Sequence, residues 1–234
     1  MRLNTIRQNR VKNMSMYENR QDYAYDTIKK LVLNAELSPN SRVSRAELSE
    51  KLHIGNTPMR EAIIRLEKEG LFRIMPQSGT YVSKINIEQV KQAYFVRQNI
   101  EKRIFEEPAD MITGKQIKEL ERMLVIQRLL SDTNDNEMFF TFDEEFHEFF
   151  YKVVNKEHVW RWMETISLSL RRYQHLNLQI EDASWHSIQT DHEVIVKSIK
   201  KKSKELFKET VESHLNKMKP ELNVVVKQFP DFFE

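Results

Sequence analysis

Apolar residues recur at helical spacing from Tyr17 to Ala35, with Tyr25, Ile28, Val32 and Ala35 on one face, and Ser38, Pro39 and Asn40 end the run. A shorter helix follows. Ser44 and Glu47 form a capping box, and Leu48 and Leu52 mark one apolar face, which predicts a helix from Arg45 to Leu52. His53 to Asn56 supply a turn. Thr57 is then a natural N-cap, with Pro58 at the first helical position, where its missing N–H costs nothing. The next helix carries Ile63 and Leu66 inward and Arg60 outward until Gly70 stops it. Phe72 to Met75 predicts a strand, Gln77 to Gly79 a turn, and Thr80 to Val82 a return strand. Two short helices around a tight turn, followed by a hairpin, have the outline of a winged DNA-reading element.

After Val82 the alternating patterns stop and amphipathic helices take over. The predicted spans are Ile87 to Glu107, Lys115 to Leu130 after a Thr113–Gln116 capping box, Asn136 to Val154, Glu157 to Leu178, Trp185 to Lys200 and Ser203 to Lys219. Pro108, the polar run Ser131 to Asn136, Asn155, Glu181 with Asp182, and Pro220 are the expected breaks. The tail, with Val224 to Val226 and Phe229 to Phe233, is apolar enough to pack, as a further short helix. The chain has only four glycines, and Gly55, Gly70 and Gly79 fall at the turn, the helix stop and the wing, with Gly114 at a helix start. The pattern therefore predicts a mainly α protein in three parts: a basic leader over residues 1–16, a winged helix-turn-helix domain over 17–85, and an all-helical antiparallel bundle over 86–234. Ile85 and Asn86 form a short linker.

Composition narrows the function classes. At 234 residues, 40% hydrophobic and 31% charged, the chain has the composition of a globular protein of two ordinary domains. The absence of cysteine excludes disulfides and thiolate metal sites and fits a reducing cytosol. No apolar run approaches the ~20 residues needed to span a bilayer, and the polar start has no signal-peptide core, so a cytoplasmic protein without a membrane partner is expected. The net charge of +2 is unevenly spread: residues 1–85 hold 15 Lys and Arg against 9 Asp and Glu, whereas residues 86–234 hold 22 against 26. The positive excess lies in the half with the helix-turn-helix, as phosphate neutralisation requires.

In the helical half, Phe139, Phe142, Phe146 and Phe149 make a buried stripe, and Asp143 and His147, four apart, share a face from which both can reach one metal. Trp185, Ile188, His192, Ile195 and Ile199 form a second stripe, and Phe207, Val211, His214, Leu215 and Met218 a third, so His192 and His214 also point inward. One interior histidine is ordinarily a core residue satisfied by a carbonyl or water. Three of them with an aspartate, on three helices of one bundle, point to a divalent metal.

Residues 37–85 resemble the winged helix-turn-helix of GntR-family bacterial regulators. The segments that carry the likeness are Arg45 to Leu48, Thr57-Pro58-Met59-Arg60-Glu61-Ala62, Leu66 to Leu71, and Ser78-Gly79-Thr80-Tyr81-Val82. Two positions depart from the family pattern: Gly55 and Asn56 stand where a Ser-Arg pair is usual, and Asn40 replaces the glycine after the proline. Asn tolerates a left-handed backbone, whereas Asn56 in place of an arginine implies an altered operator. Asp143-Glu144-Glu145-Phe146-His147, Asn155, Asp191 to Ile195 with Ile199, and Ser213 to Leu215 are similar to the ligand-binding domain of the FCD branch, and Arg97 with Glu101 matches its Arg-x-x-x-Glu.

The resemblance implies a homodimer that binds double-stranded operator DNA, most often as a repressor released by a small organic acid effector. It carries over Arg45, Asn56, Thr57, Arg60, Ser78 and Gly79 as DNA contacts, and Asp143, His147, His192 and His214 as ligands of a divalent metal. Zn, Ni, Fe and Mn all suit such an N/O set. Arg97, Arg171 and Arg172 are the candidate effector anchors, Arg97 through a bidentate carboxylate pair. Two other readings compete. A metal-dependent enzyme would need a general base, and no residue is recognisably placed as one, so no enzymatic activity is expected. A metal-independent dimer would use the helical half only as a platform, with the histidines in its core.

Overall fold

The computed structural model describes residues 20–107, 111–132, 136–180, 184–217 and 222–234. The basic leader 1–16 and the breaks expected at Pro108, Glu181 with Asp182, and Pro220 lie outside them, as do the side chains of Trp185 and Met218. The chain divides into two compact units, one of Met1–Ile85 with Asp231–Glu234 and one of Asn86–Pro230.

The first unit runs α1 (Arg20–Leu33), β1 (Arg42–Val43), α2 (Arg45–Leu52), α3 (Asn56–Lys68), β2 (Phe72–Met75) and β3 (Gly79–Val82). Helix α1 presents Ala24, Ile28 and Val32, and α3 presents Met59, Ala62, Ile63 and Leu66, all fully or nearly buried. Each large aliphatic side chain removed from water in this way contributes roughly 1.5–3 kcal/mol. At the edge of this contact the Tyr25 hydroxyl donates to Glu69 at 2.6 Å, Lys29 donates to Glu69 at 2.8 Å, and the Arg65 guanidinium lies 3.6 Å over the Tyr25 ring. The strands form one antiparallel sheet in the order β1-β3-β2, with Arg42 opposite Tyr81 and Phe72 opposite Val82. Strand β1 was not predicted, because two residues are too few to show alternation.

The turn between α2 and α3 differs from the sequence expectation. The N–H groups of His53 and Ile54 donate to the carbonyls of Glu50 and Ser49, closing a Schellman motif in which His53 takes the left-handed position at φ 51. Gly55 is extended, with φ −64 and ψ 158, and is itself the N-cap, without a side-chain bond. Helix α3 therefore starts at Asn56. Thr57 is its second residue rather than its N-cap, and Pro58 its third, where an N–H would still have no intrahelical partner. Asn40 does adopt the left-handed conformation, at φ 65. In the wing Gln77 and Gly79 have positive φ, and a Cβ on Gly79 would come 2.9 Å from the Nε of Arg42. Glycine thus lets the wing close onto that guanidinium.

Ile85 follows the sheet and pairs with Phe233 in a parallel bridge: its N–H donates to Phe232 at 2.8 Å, and Glu234 donates back to its carbonyl at 3.1 Å. Residues 231–234, assigned with the helical half from sequence, thus belong to the first unit. Buried Phe233 and these backbone bonds hold them there.

The second unit holds α4 (Ile87–Glu106), α5 (Gly114–Asp132), α6 (Asn136–Val153), α7 (Glu157–Ile166), α8 (Leu168–Ile180), α9 (Ser184–Lys200), α10 (Lys204–Lys217) and α11 (Leu222–Gln228). The one long helix expected from Glu157 to Leu178 is broken at Ser167, whose ψ of 6 leaves the helical region. The break lets the two pieces serve different partners, since α7 packs on α6 and α8 on α4. The core joins Phe105, Phe146, Phe149, Phe150 and Tyr151 to Trp160, Ile195, Phe207, Val211 and Leu215. No described helix is long and apolar enough to cross a membrane.

Candidate metal centre and nucleic-acid interface

Three helices carry one histidine each into the interior of the second unit. His147 on α6, His192 on α9 and His214 on α10 are at most 1% exposed. Their Nε2 atoms face one another, with His214 3.2 Å from His147 and 3.3 Å from His192. The carboxylate of Asp143 lies alongside, one oxygen 3.6 Å from His192 Nε2 and without a hydrogen-bond partner.

The opposite nitrogen of each ring faces a polar side chain, through a hydrogen bond at His192 and an ion-pair contact at the other two. His192 Nδ1 is 3.0 Å from Gln127 Oε1, and the Gln127 amide donates its own N–H to the Phe142 carbonyl, which leaves Oε1 as an acceptor. His192 therefore carries its proton on Nδ1 and turns a lone pair inward. His147 Nδ1 is 3.1 Å from Glu101 Oε2, and His214 Nδ1 is 3.5 Å from Asp191 Oδ2. Lys217 donates to the other oxygen of Asp191 at 2.8 Å. With Nδ1 carrying the proton on all three rings, as it does on His192, three lone pairs would aim at one point and could not satisfy each other by hydrogen bonding. Donors bound to one ion at roughly 2.0–2.1 Å sit about 3 Å apart, so the spacing fits a divalent metal, and carboxylate or carbonyl partners behind the imidazoles are what such ligands require.

The electrostatics agree. Burial, then the neighbouring His214 and His147, depress His192 well below the usual imidazole range, and burial likewise lowers His214 despite Asp191. Both rings are therefore neutral and competent to bind a cation at neutral pH. Burial also works against charge on His147, but Glu101 outweighs it and raises that group. Asp143 is raised by burial, against the pull of His147, His214 and Arg97. A cation in the centre would reverse that penalty.

The candidate effector anchors differ in their placement. Arg97, 4% exposed, donates from Nε to Glu101 at 2.8 Å and from Nη1 to Glu144 at 2.9 Å. Burial disfavours its charge, but Glu101, Glu144 and Asp143 more than restore it. Glu101, despite burial, is held down at about 2 by Arg97 and His147. Arg171 is partly exposed, with Nε 3.7 Å from the other oxygen of Glu144 and Nη1 3.7 Å from Glu164, whereas Arg172 is 3% exposed. Gln127 was not singled out from sequence, and Glu144 and Asp191 fell within the FCD-like segments without a role of their own. Gln127 had a signal: it interrupts the stripe Leu120, Met123, Gln127 with a polar residue at a buried position.

On the first unit, Arg45, Asn56, Thr57 and Arg60 are all exposed and line one groove with Glu61 and Ile64. The Asn56 side-chain oxygen is 3.3 Å from the Ser49 hydroxyl, which steers it from α2. Arg45 also lines a second depression with Ser78, Gly79 and Arg42. The proposed helix contacts and wing contacts therefore form one continuous face through Arg45. Arg42, on the unpredicted strand β1, adds a cation that sequence reading missed.

Residues 20–82 match the bacterial regulatory proteins of the gntR family, and residues 92–217 match the FCD domain. The chain belongs to the GntR family, in its FCD branch. This is a family of DNA-binding transcriptional regulators, not of enzymes. The HTH-type transcriptional repressor RspR of Escherichia coli K12 is 25% identical over 209 residues, covering 89% of this chain and 91% of that protein. The Uxu operon regulator of Haemophilus influenzae is 25% identical over 195 residues, covering 75% and 71%. Among solved structures, E. coli McbR/YncC superimposes with a TM-score of 0.75 at 18% identity, covering 91% of this chain and 100% of that one, a likeness of fold.

Proposed function

We propose that this GntR-family regulator is a cytoplasmic homodimer that represses transcription from an operator and is modulated by a small carboxylate-type metabolite at a divalent metal. Asp143, His147, His192 and His214 hold the ion, which supplies an electrophilic anchor for an effector oxygen. Arg45, Asn56, Thr57, Arg60, Ser78 and Gly79 form the DNA-reading face. Arg97, Arg171 and Arg172 set the electrostatics on the effector side. The observation that carries the reading is the convergence of three back-held imidazoles in a chain that also carries a winged helix-turn-helix. Repression is supported by the repressor role of the relative RspR.

The DNA arm is tested by fluorescence anisotropy on a duplex selected with the purified protein. Arg60→Ala should weaken binding by roughly 1–3 kcal/mol, as loss of one base-reading arginine does. Full affinity in a folded, dimeric variant would remove Arg60 from the DNA face. The regulatory arm is tested by repeating the titration with metal-loaded protein and a panel of organic acids found by thermal shift. A productive acid should change operator affinity by a coupling free energy of about 1–3 kcal/mol, and the operator should change acid affinity by the same factor. If acids that stabilise the protein leave operator affinity unchanged, the metal-independent dimer becomes the better description.

A further inference from the structure

Asn56 opens α3, and the residues at the start of a recognition helix are those that reach base edges in the major groove. It is exposed, and it lines one groove with Arg45, Thr57 and Arg60. Its backbone stands on a fixed support: Ile54, two positions earlier, is buried, donates its N–H to the Ser49 carbonyl at 3.0 Å and accepts from the Ser49 hydroxyl at its own carbonyl. Two bonds thus lock Ser49 to the turn.

The Ser49 hydroxyl carries one hydrogen, and the Ile54 carbonyl takes it. What it turns toward Asn56, 3.3 Å away, is therefore a lone pair, which an amide oxygen cannot use. Turning the Asn56 amide over about its Cβ–Cγ bond puts Nδ2 in that place and makes the contact a donated hydrogen bond, the arrangement that the network selects. One N–H of Nδ2 then goes to Ser49. The other N–H and Oδ1 stay side by side on the open edge, a donor next to an acceptor. Adenine presents the complement in the major groove, its N7 accepting and its N6 amino group donating.

We propose that Asn56 reads an adenine of the operator and that Ser49 is the positioning residue that fixes its amide for that base. This rests on the DNA-face reading above and deepens it. Guanine offers two acceptors on the same edge and would set O6 against Oδ1 with no hydrogen between them, while thymine and cytosine offer one polar group each. The amide cannot turn over to suit another base without giving up Ser49, so its orientation is the source of selectivity.

In the test, duplexes are selected from a randomised library by purified full-length wild type, Asn56→Arg, Ser49→Ala and Ser49→Thr, and affinities for the selected sequence and its single-pair variants are measured by fluorescence anisotropy. Wild type should select an A·T pair at one position of its motif and lose about tenfold in affinity when that pair is replaced. Asn56→Arg should select guanine at that position alone, since arginine pairs with O6 and N7. Ser49→Ala should reduce the adenine preference to about threefold or less with the salt dependence of binding unchanged, because no phosphate contact is lost, and Ser49→Thr, which keeps the hydroxyl, should retain the preference. A merely structural serine would weaken all sequences alike. A wild type that selects no sequence overturns the DNA-face reading itself and the proposal with it. Where a motif is selected, an unchanged motif in Asn56→Arg, a base other than adenine in wild type at the position that changes, or a full preference in Ser49→Ala overturns the proposal alone.

Discussion

Replacing Arg97 by alanine should cost the helical unit about 3–5 kcal/mol, because it leaves Glu101 and Glu144 buried without their counter-ion. A loss of that size is a large fraction of the ~5–15 kcal/mol that separates folded from unfolded states. Urea unfolding followed by circular dichroism measures it. A second variant separates charge from packing: Arg97→Ala with Glu144→Gln removes one of the stranded carboxylates and should recover part of the loss, whereas a packing defect would not be relieved. The single variant within about 1 kcal/mol of wild type would mean that water reaches the pair and that the burial argument fails. The Arg-x-x-x-Glu match alone suggests a residue free to clamp an effector. The structure makes Arg97 a structural counter-ion first, so alanine is the wrong substitution for probing effector response.

The winged helix-turn-helix was legible because its parts are local. Capping at Ser44, the stop at Gly70 and the wing glycine each announce themselves within a few residues. The error there was also local: Thr57 was read as the N-cap of α3, whereas the Schellman turn at His53 leaves Gly55 extended in that position. In the helical unit, helical phase was enough to turn His147, His192 and His214 inward, and the structure brings their rings together. Phase could not supply Gln127, which lies 65 positions from His192 and reaches it only because α5 packs against α9. Nor could it reveal Glu144 as the partner of Arg97, since that pairing depends on how α4 and α6 cross. The break at Ser167 was invisible for the same reason: the two pieces diverge toward different helices, and no glycine or proline marks the point.

Metal should be the largest single contributor to the stability of the helical unit. Chelated full-length protein supplied with Zn²⁺, Ni²⁺ or Mn²⁺ at about a thousand times its dissociation constant should gain roughly 4 kcal/mol, read as a rise in melting temperature. His192→Ala should lose most of that gain. The alanine variant alone is ambiguous, since it also leaves a cavity beside Phe146, whose ring stacks on His192 at 3.8 Å between centroids. Gln127→Leu resolves the ambiguity. It keeps all four candidate ligands and removes the acceptor that fixes the His192 tautomer, together with the donor to the Phe142 carbonyl, so it should weaken metal binding roughly 10- to 100-fold. In chelated protein the same change should cost no more than the two hydrogen bonds it removes, about 1–3 kcal/mol each. The decisive quantity is therefore the difference between the metal-supplemented and chelated melting curves, variant by variant. If wild type melts identically in both conditions, the three imidazoles are core residues that satisfy one another imperfectly. If wild type gains and Gln127→Leu gains equally, the ion is held without the His192 tautomer lock, and the Gln127–His192 hydrogen bond serves packing rather than ligation.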